Sequence, residues 1–372
     1  MAELCTPYFL VDEALLRKNL EILKSVMDDT GCKILLAQKA FSMYSVYPLI
    51  SGYLCGSTAS GLYEARLGHE KFGGETHVFS PAYRDDEFPE ILKYADHIVF
   101  NSVCQIRKFG EAAKRAGKSI GLRVNPEFST QEGHAIYDPC APGSRLGCTK
   151  AAFDESILPM LDGLHFHTLC EQDSDDLKTT AAAFEEKFGA YLHNMKWVNF
   201  GGGHHITRSG YDIKTLKSVI VHFRDTYDVE VYLEPGEAVV LNAGFLKTSV
   251  LEIVHNGMDI AILDTSAACH MPDVIEMPYT PPLKDAGKPG EKAHDYRLAG
   301  PTCLAGDVIG DYSFDDELHE GDVLTFEDMA LYTMVKTNTF NGMALPSIAY
   351  RTADGGIALV RSFGYDDFVN RL

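Results

Sequence analysis

The chain has 372 residues with 53 acidic against 33 basic side chains, a formal net charge of −20, which argues against a nucleic-acid partner because that needs a basic face. The charge suits a small cationic substrate drawn to a negative cleft, although acidity for solubility alone is the plainer alternative. No run approaches the roughly 18 apolar residues of a membrane span. Nine cysteines without a C-x-x-C spacing point to reduced thiols in a cytoplasm rather than to a structural zinc site.

The opening Met1-Ala2-Glu3-Leu4-Cys5 is neither basic nor followed by a long apolar run, so no export signal is expected. Asp12 is placed to cap a helix in which Leu16, Leu20, Leu23 and Met27 share a face, and Gly31 is placed to end it. Eight strands are then predicted at 34–37, 53–57, 77–80, 97–100, 120–124, 163–167, 197–200 and 231–233. Helical patterns such as 63–72 and 181–193 lie between them. The longer gap between the fifth and sixth strands holds Gly133, Pro139, Pro142 and Gly143 and predicts an excursion loop. Strands alternating with helices imply a parallel α/β fold. A (β/α)8 TIM barrel is favoured over an open sheet because Lys39, Asn101, Asn125, His167, Gly201 to Gly203 and Glu234 all follow strands. Only a barrel gathers strand ends on one face. Beyond about residue 241, short apolar runs at 251–254, 259–263, 323–326 and 357–360 predict a mainly antiparallel β domain. The expected division is 12–240 for the barrel and 241–372 for the β domain, with 1–11 added to the latter.

Several strand-end residues carry chemistry. Lys39, partly desolvated at a barrel mouth, would be a better amine nucleophile than a surface lysine; a solvated strand-end lysine is the alternative. Gly201, Gly202 and Gly203 could close backbone N–H groups around a phosphate, or form only a tight turn. Glu234 could hold a ring nitrogen protonated, or pair with an arginine. His165 and His167 form an H-x-H pair, followed by His204 and His205, which leaves open a metal-dependent barrel hydrolase. Cys303 could act as an acid, although buried free cysteines are usually inert.

Taken in order, Lys39, His167, Gly201 to Gly203, Glu234-Pro235-Gly236, Gly300-Pro301-Thr302-Cys303, Tyr332 and Phe340-Asn341-Gly342 resemble the fold-type III decarboxylases, the alanine-racemase-like group that includes ornithine and diaminopimelate decarboxylases. The resemblance implies pyridoxal 5'-phosphate as cofactor and no metal. It gives Lys39 the Schiff base, His167 the stacking on the pyridine ring, the 201–203 loop and Tyr332 the phosphate, and Glu234 the pyridine nitrogen. Cys303 and Asp307 would enter the neighbouring subunit's site, making a homodimer with shared active sites, and Cys303 or Lys39 would return a proton to the decarboxylated carbon. One departure stands out: Glu237 occupies the place of a phosphate-binding arginine in ornithine-type relatives. That feature, with the segment 263–279, is similar to the carboxynorspermidine/carboxyspermidine decarboxylase branch of polyamine biosynthesis. The branch implies a cationic carboxylated polyamine met by Glu237, Asp273, His270 and Asp307. A diaminopimelate or other basic amino-acid decarboxylase, and a non-catalytic regulatory relative, are the remaining alternatives.

Overall fold

Strand β1 (Tyr8–Asp12) leads into the helix Glu13–Thr30. Asp12 Oδ1 accepts the Leu15 amide at 3.1 Å, capping the first turn. Gly31 ends the helix at φ +72°, a backbone setting that other residues rarely adopt. The computed structural model describes residues 4–132 and 135–372; Gly133 lies outside them. The chain divides into two compact units, Lys18–Val239 and Met1–Arg17 with Val240–Leu372.

In the first unit, eight parallel strands close into a barrel. They are β2 (Lys33–Ala37), β3 (Gly56–Ala59), β4 (Glu75–Phe79), β5 (His97–Phe100), β6 (Ser119–Arg123), β7 (Gly163–His165), β8 (Trp197–Asn199) and β9 (Glu230–Leu233). Closure is made by β2 against β9, with Lys33 opposite Tyr232 and Ile34 opposite Leu233. The third strand differs most from expectation. Residues 53–55 form a turn, and the strand is the small-residue run Gly-Ser-Thr-Ala. A side chain at Gly56 would collide with the Glu75 carbonyl at 2.0 Å, so this strand is short of apolar signal because it lies close to its neighbour.

Inside the barrel, Trp197 fills space left by two glycines. A Cβ at Gly163 or Gly121 would come within 2.0 or 2.3 Å of its ring. Its Nε1 donates to Ser119 Oγ at 2.9 Å, so the buried indole keeps its hydrogen bond. The loop after β6 is the expected excursion, with short 3-10 turns at Lys150–Ala152 and Glu155–Met160.

The second unit adds β10 (Gly244–His255), β11 (Asp259–Leu263), β12 (His294–Ala299), β13 (Val308–Phe314), β14 (Val323–Glu327), β15 (Ser347–Arg351) and β16 (Ile357–Arg361). The order is β13-β12-β11-β10-β1-β15-β16, with β14 also on β10. Only β1 with β15 and β11 with β12 run parallel. Its core gathers Phe9, Leu246, Leu263, Leu298, Ile309 and Phe326. Among the described residues, no helix is long and apolar enough to cross a membrane, and all nine cysteines are free.

Candidate active site

The carboxyl ends of the barrel strands bring Lys39, His167, the 201–203 loop, Glu234 and Glu237 into one unit. Lys39 follows β2 in a turn flanked by Ala37 and Ala40, against which Gly236 packs so closely that a Cβ there would lie 2.5 Å from Ala40 Cβ. Its side chain has solvent contact in the open mouth. The protein mass around it is nevertheless what governs its charge: burial pushes the ammonium below the ordinary lysine range, Arg123 pushes the same way, and Glu234, Cys170 and Glu237 oppose them. A lysine with a lowered pKa exposes its lone pair more readily for attack on a carbonyl.

Glu234 is 7% exposed. Burial works against its charge, but His165 and Asn199 outweigh burial and hold the carboxyl down at about 2. Asn199 Nδ2 donates to Oε1 at 2.8 Å. His165 Nε2 stands at 3.6 Å from Oε2, beyond hydrogen-bond length, so Asn199 is the firmer anchor. An ionised, buried carboxylate with a spare oxygen fits a protonated ring nitrogen.

The glycine loop is shaped by contact. Gly201 and Gly203 have φ of +69° and +82°, and a Cβ at Gly203 would lie 2.1 Å from the Leu169 carbonyl. Two of its three amides point inward: Gly201 donates to Asn199 Oδ1 at 2.8 Å and Gly202 to His167 Nδ1 at 3.1 Å. Among the described residues, only the Gly203 amide of the three has no partner. Burial drives the His167 imidazole well below its usual range, with Lys39 and Arg123 acting in the same sense, so the ring is neutral.

Three contributors were missed from sequence. Arg123 is 5% exposed and donates to the His167 carbonyl at 3.3 Å. It lies 4.7 Å from the Phe79 ring centre, and no carboxylate pairs with it among the described residues. Burial lowers its guanidinium to about 10, still charged at neutral pH. A lone arginine in the strand Ser-Ile-Gly-Leu-Arg was the available signal. Asn199 and Cys170 are the others, and His205, read from sequence as a metal option, joins them here. Burial, with Glu237 helping, raises the Cys170 thiol to about 12, so it is not a thiolate. His205 Nε2 lies 3.1 Å from Glu237 Oε2.

Donor atoms of His165, His167 and Glu234 lie within 4.8 Å of one another, as do those of Glu75, His77 and His97. In the second set the two imidazoles stack at 3.9 Å and 10°, so their lone pairs run parallel and do not converge on one ion.

The second unit holds the remaining expected residues. Cys303 is exposed, and its thiol donates to Asn341 Oδ1 at 2.8 Å, with Asn341 at φ +60°. Tyr332 stands at φ +51°, unusual for a bulky residue. Two of the expected substrate contacts, Asp307 and His270, are hydrogen-bonded within the chain. The Asp307 carboxylate is 2% exposed and accepts from Ser266 Oγ, the Ala268 amide, and both the amide and hydroxyl of Thr302. It pins the 300–307 turn. His270 is fully buried, with Nδ1 taken by Thr265 at 2.9 Å and Nε2 by the Ala344 carbonyl at 3.0 Å, which leaves no ring nitrogen for a ligand. Asp273 is ion-paired with Lys336.

Residues 25–330 match the family described as pyridoxal-dependent decarboxylase, C-terminal sheet domain. The chain belongs to the pyridoxal-dependent decarboxylases. This decarboxylase is 45% identical to the carboxynorspermidine/carboxyspermidine decarboxylase of Campylobacter jejuni, with 98% of this chain and 97% of that protein covered. It is 41% identical to the carboxyaminopropylagmatine decarboxylase of Synechocystis, over all of this chain and 96% of that one. Its structure matches the crystal structure of carboxynorspermidine decarboxylase complexed with norspermidine from Campylobacter jejuni at TM-score 0.92, with 43% identity and 99% and 100% of the two chains covered. The decarboxylase is thus a carboxy-lyase that uses pyridoxal phosphate, and the metal-hydrolase alternative drops out. Diaminopimelate decarboxylases share the fold, as in the Helicobacter pylori enzyme complexed with L-lysine, at TM-score 0.83 and 18% identity over 99% and 97% of the chains.

Proposed function

We propose that this enzyme removes the α-carboxylate of carboxynorspermidine or carboxyspermidine, giving norspermidine or spermidine. The observation that carries this reading is the full-length identity to carboxynorspermidine/carboxyspermidine decarboxylases, supported by the carboxylate Glu237 beside the site. The 41% identity to a carboxyaminopropylagmatine decarboxylase supports a second substrate of the same shape ending in a guanidinium.

Pyridoxal phosphate, when bound, supplies the electron sink that stabilises the carbanion left by CO2. Lys39 is the amine that would hold the cofactor and exchange it for the substrate amine, helped by its lowered pKa. Glu234, ionised and anchored by Asn199, would keep the ring nitrogen protonated. His167, neutral and fixed through Gly202, would present a flat face to the ring. The 201–203 loop and Tyr332 are assigned the phosphate. Arg123, a buried cation without a carboxylate, would answer an anionic oxygen. Cys303, whose thiol proton rests on Asn341, would return a proton to the carbon that lost CO2, acting in the site of a second copy in a cytoplasmic homodimer. The test is a side-by-side steady-state assay of carboxynorspermidine, carboxyspermidine and carboxyaminopropylagmatine, with diaminopimelate and ornithine as controls. The reading fails if either control is the best substrate.

A further inference from the structure

Of the four side chains expected to meet the substrate, three are engaged by the chain itself: Asp307, His270 and Asp273. Glu237 differs. Its Oε2 takes one donor, His205 Nε2, at 3.1 Å, and its Oε1 takes none among the described residues. The two side chains are only 11% and 9% exposed. Glu237 follows Gly236, which packs on the alanines to either side of Lys39, so the carboxylate belongs to the rim of the mouth.

His205 is itself firmly placed. Its amide donates to the Gln172 carbonyl at 3.2 Å, and Gln172 donates back to Gly203 at 3.0 Å. Two residues on, Thr207 Oγ1 donates to the Ala238 carbonyl at 2.7 Å, tying this loop to the short helix Glu237–Val240. His205 Nδ1 is buried without a partner among the described residues, while its Nε2 meets Glu237 Oε2. Buried polar atoms are rarely left unpaired without a reason such as a ligand. A glutamate otherwise samples several rotamers, and a fixed donor on one oxygen removes that freedom before a ligand arrives.

We infer that His205 is a specificity-determining positioning residue, which holds Glu237 so that its second carboxylate oxygen accepts an ammonium N–H of the polyamine chain. The inference rests on the polyamine reading above. It makes the pair, rather than the carboxylate alone, the element that recognises the amine.

The test uses the full-length holoenzyme and two variants. His205→Phe keeps a ring and removes both nitrogens, and His205→Gln returns an N–H near the position of Nε2. Norspermidine binding is measured by calorimetry, and KM and kcat are measured with carboxynorspermidine. The expected result is that His205→Phe raises both the norspermidine Kd and KM about tenfold, with the loss carried by KM, and that His205→Gln recovers most of it. Wild-type Kd and KM in His205→Phe would overturn the inference. So would equal losses in both variants together with a lowered Tm, which would make His205 a loop support only. Should His205→Phe not fold, Glu237→Gln decides: it keeps an acceptor for His205 but loses the charge, and an unchanged norspermidine Kd overturns the inference. A wild-type enzyme that neither binds norspermidine nor turns over carboxynorspermidine overturns the polyamine reading and this inference with it, an outcome distinct from the others.

Discussion

The amide of Gly202 donates to Nδ1 of His167 across 3.1 Å. A backbone N–H only donates, so Nδ1 carries no proton and the neutral ring holds its hydrogen on Nε2. The glycine loop therefore sets the tautomer and tilt of the imidazole assigned to the cofactor face.

Gly202→Ala should disturb both at once. The new Cβ would lie 2.5 Å from the Glu234 carbonyl and 3.3 Å from His167 Cε1. Overpacking of this kind costs about 1–3 kcal/mol. A lower Tm and a cofactor Kd raised about tenfold or more are expected, read by thermal melts and by titration of pyridoxal phosphate into apoenzyme. A variant that melts and binds cofactor like wild type would show that the loop is more compliant than its contacts imply.

Lys39→Ala should lose the visible absorbance of the bound cofactor, and kcat should fall on the order of a thousandfold or more. Measured against an equal concentration of wild-type enzyme, turnover near wild type would remove the central assignment of the site.

Subunit mixing checks the shared-site proposal. Lys39→Ala and Cys303→Ala are each expected to be nearly inactive. After verified exchange, each heterodimer should contain one site with both residues, so activity should return to about a quarter of wild type for random pairing, half the dimers each carrying one intact site of two. No recovery would place Cys303 outside the partner's chemistry.

Acid stability follows from buried imidazoles. Burial holds His97 at about 3 and His204 and His270 at about 4 in the folded protein. Unfolded, each takes up a proton near pH 6.5, about the ordinary value. The folded state therefore binds fewer protons in that window, so their stabilisation is complete above pH ~6.5 and is lost as pH falls toward about 4 and then 3. His97→Phe keeps a ring on His77, whose centre lies 3.9 Å away, and removes one such group. The drop in Tm between pH ~7.5 and pH ~5 should be smaller than in wild type. An equal drop would assign the acid sensitivity elsewhere.

The two carboxylates read from sequence as substrate contacts should now separate. Glu237→Gln is expected to lower kcat/KM for the carboxylated polyamine about ten- to a hundredfold with the cofactor spectrum intact. Asp273→Asn loosens a part-exposed pair with Lys336, and such pairs are worth about 1 kcal/mol or less, so kcat/KM should stay within a few fold. Equal losses in the two would restore Asp273 to the substrate.

What was legible in sequence was the barrel and the residues that end its strands, because short continuous apolar runs, buried on both faces, and strand-end polar residues are local signals. Glu234 and Lys39 were visible on those grounds. Strand β3 was misplaced because Gly-Ser-Thr-Ala has no apolar run, its smallness being dictated by the Glu75 backbone. Arg123 and Asn199 escaped notice, and His205 was read only as a metal option, because their meaning lies in partners up to 44 residues away. Asp307 and His270 show the converse: polar residues inside a specific motif whose hydrogen bonds turn inward to hold the motif together.

Strand β1 pairs with β10, Tyr8 opposite Lys247, and with β15, Asp12 opposite Arg351. During synthesis the barrel segment, ending at Val239, emerges well before the strand that completes this sheet. At about 5–20 residues per second the delay is on the order of ten seconds. Throughout it Phe9, Leu10 and Val11, all but fully buried at the end, can pair with β10 but lack β15 on their other side. Strand β1 is thus flanked on both sides only once Ser347–Arg351 has emerged, and a chain that stops short of Ser347 leaves β1 without one of its two neighbours, open to chaperones and proteases far from the lesion.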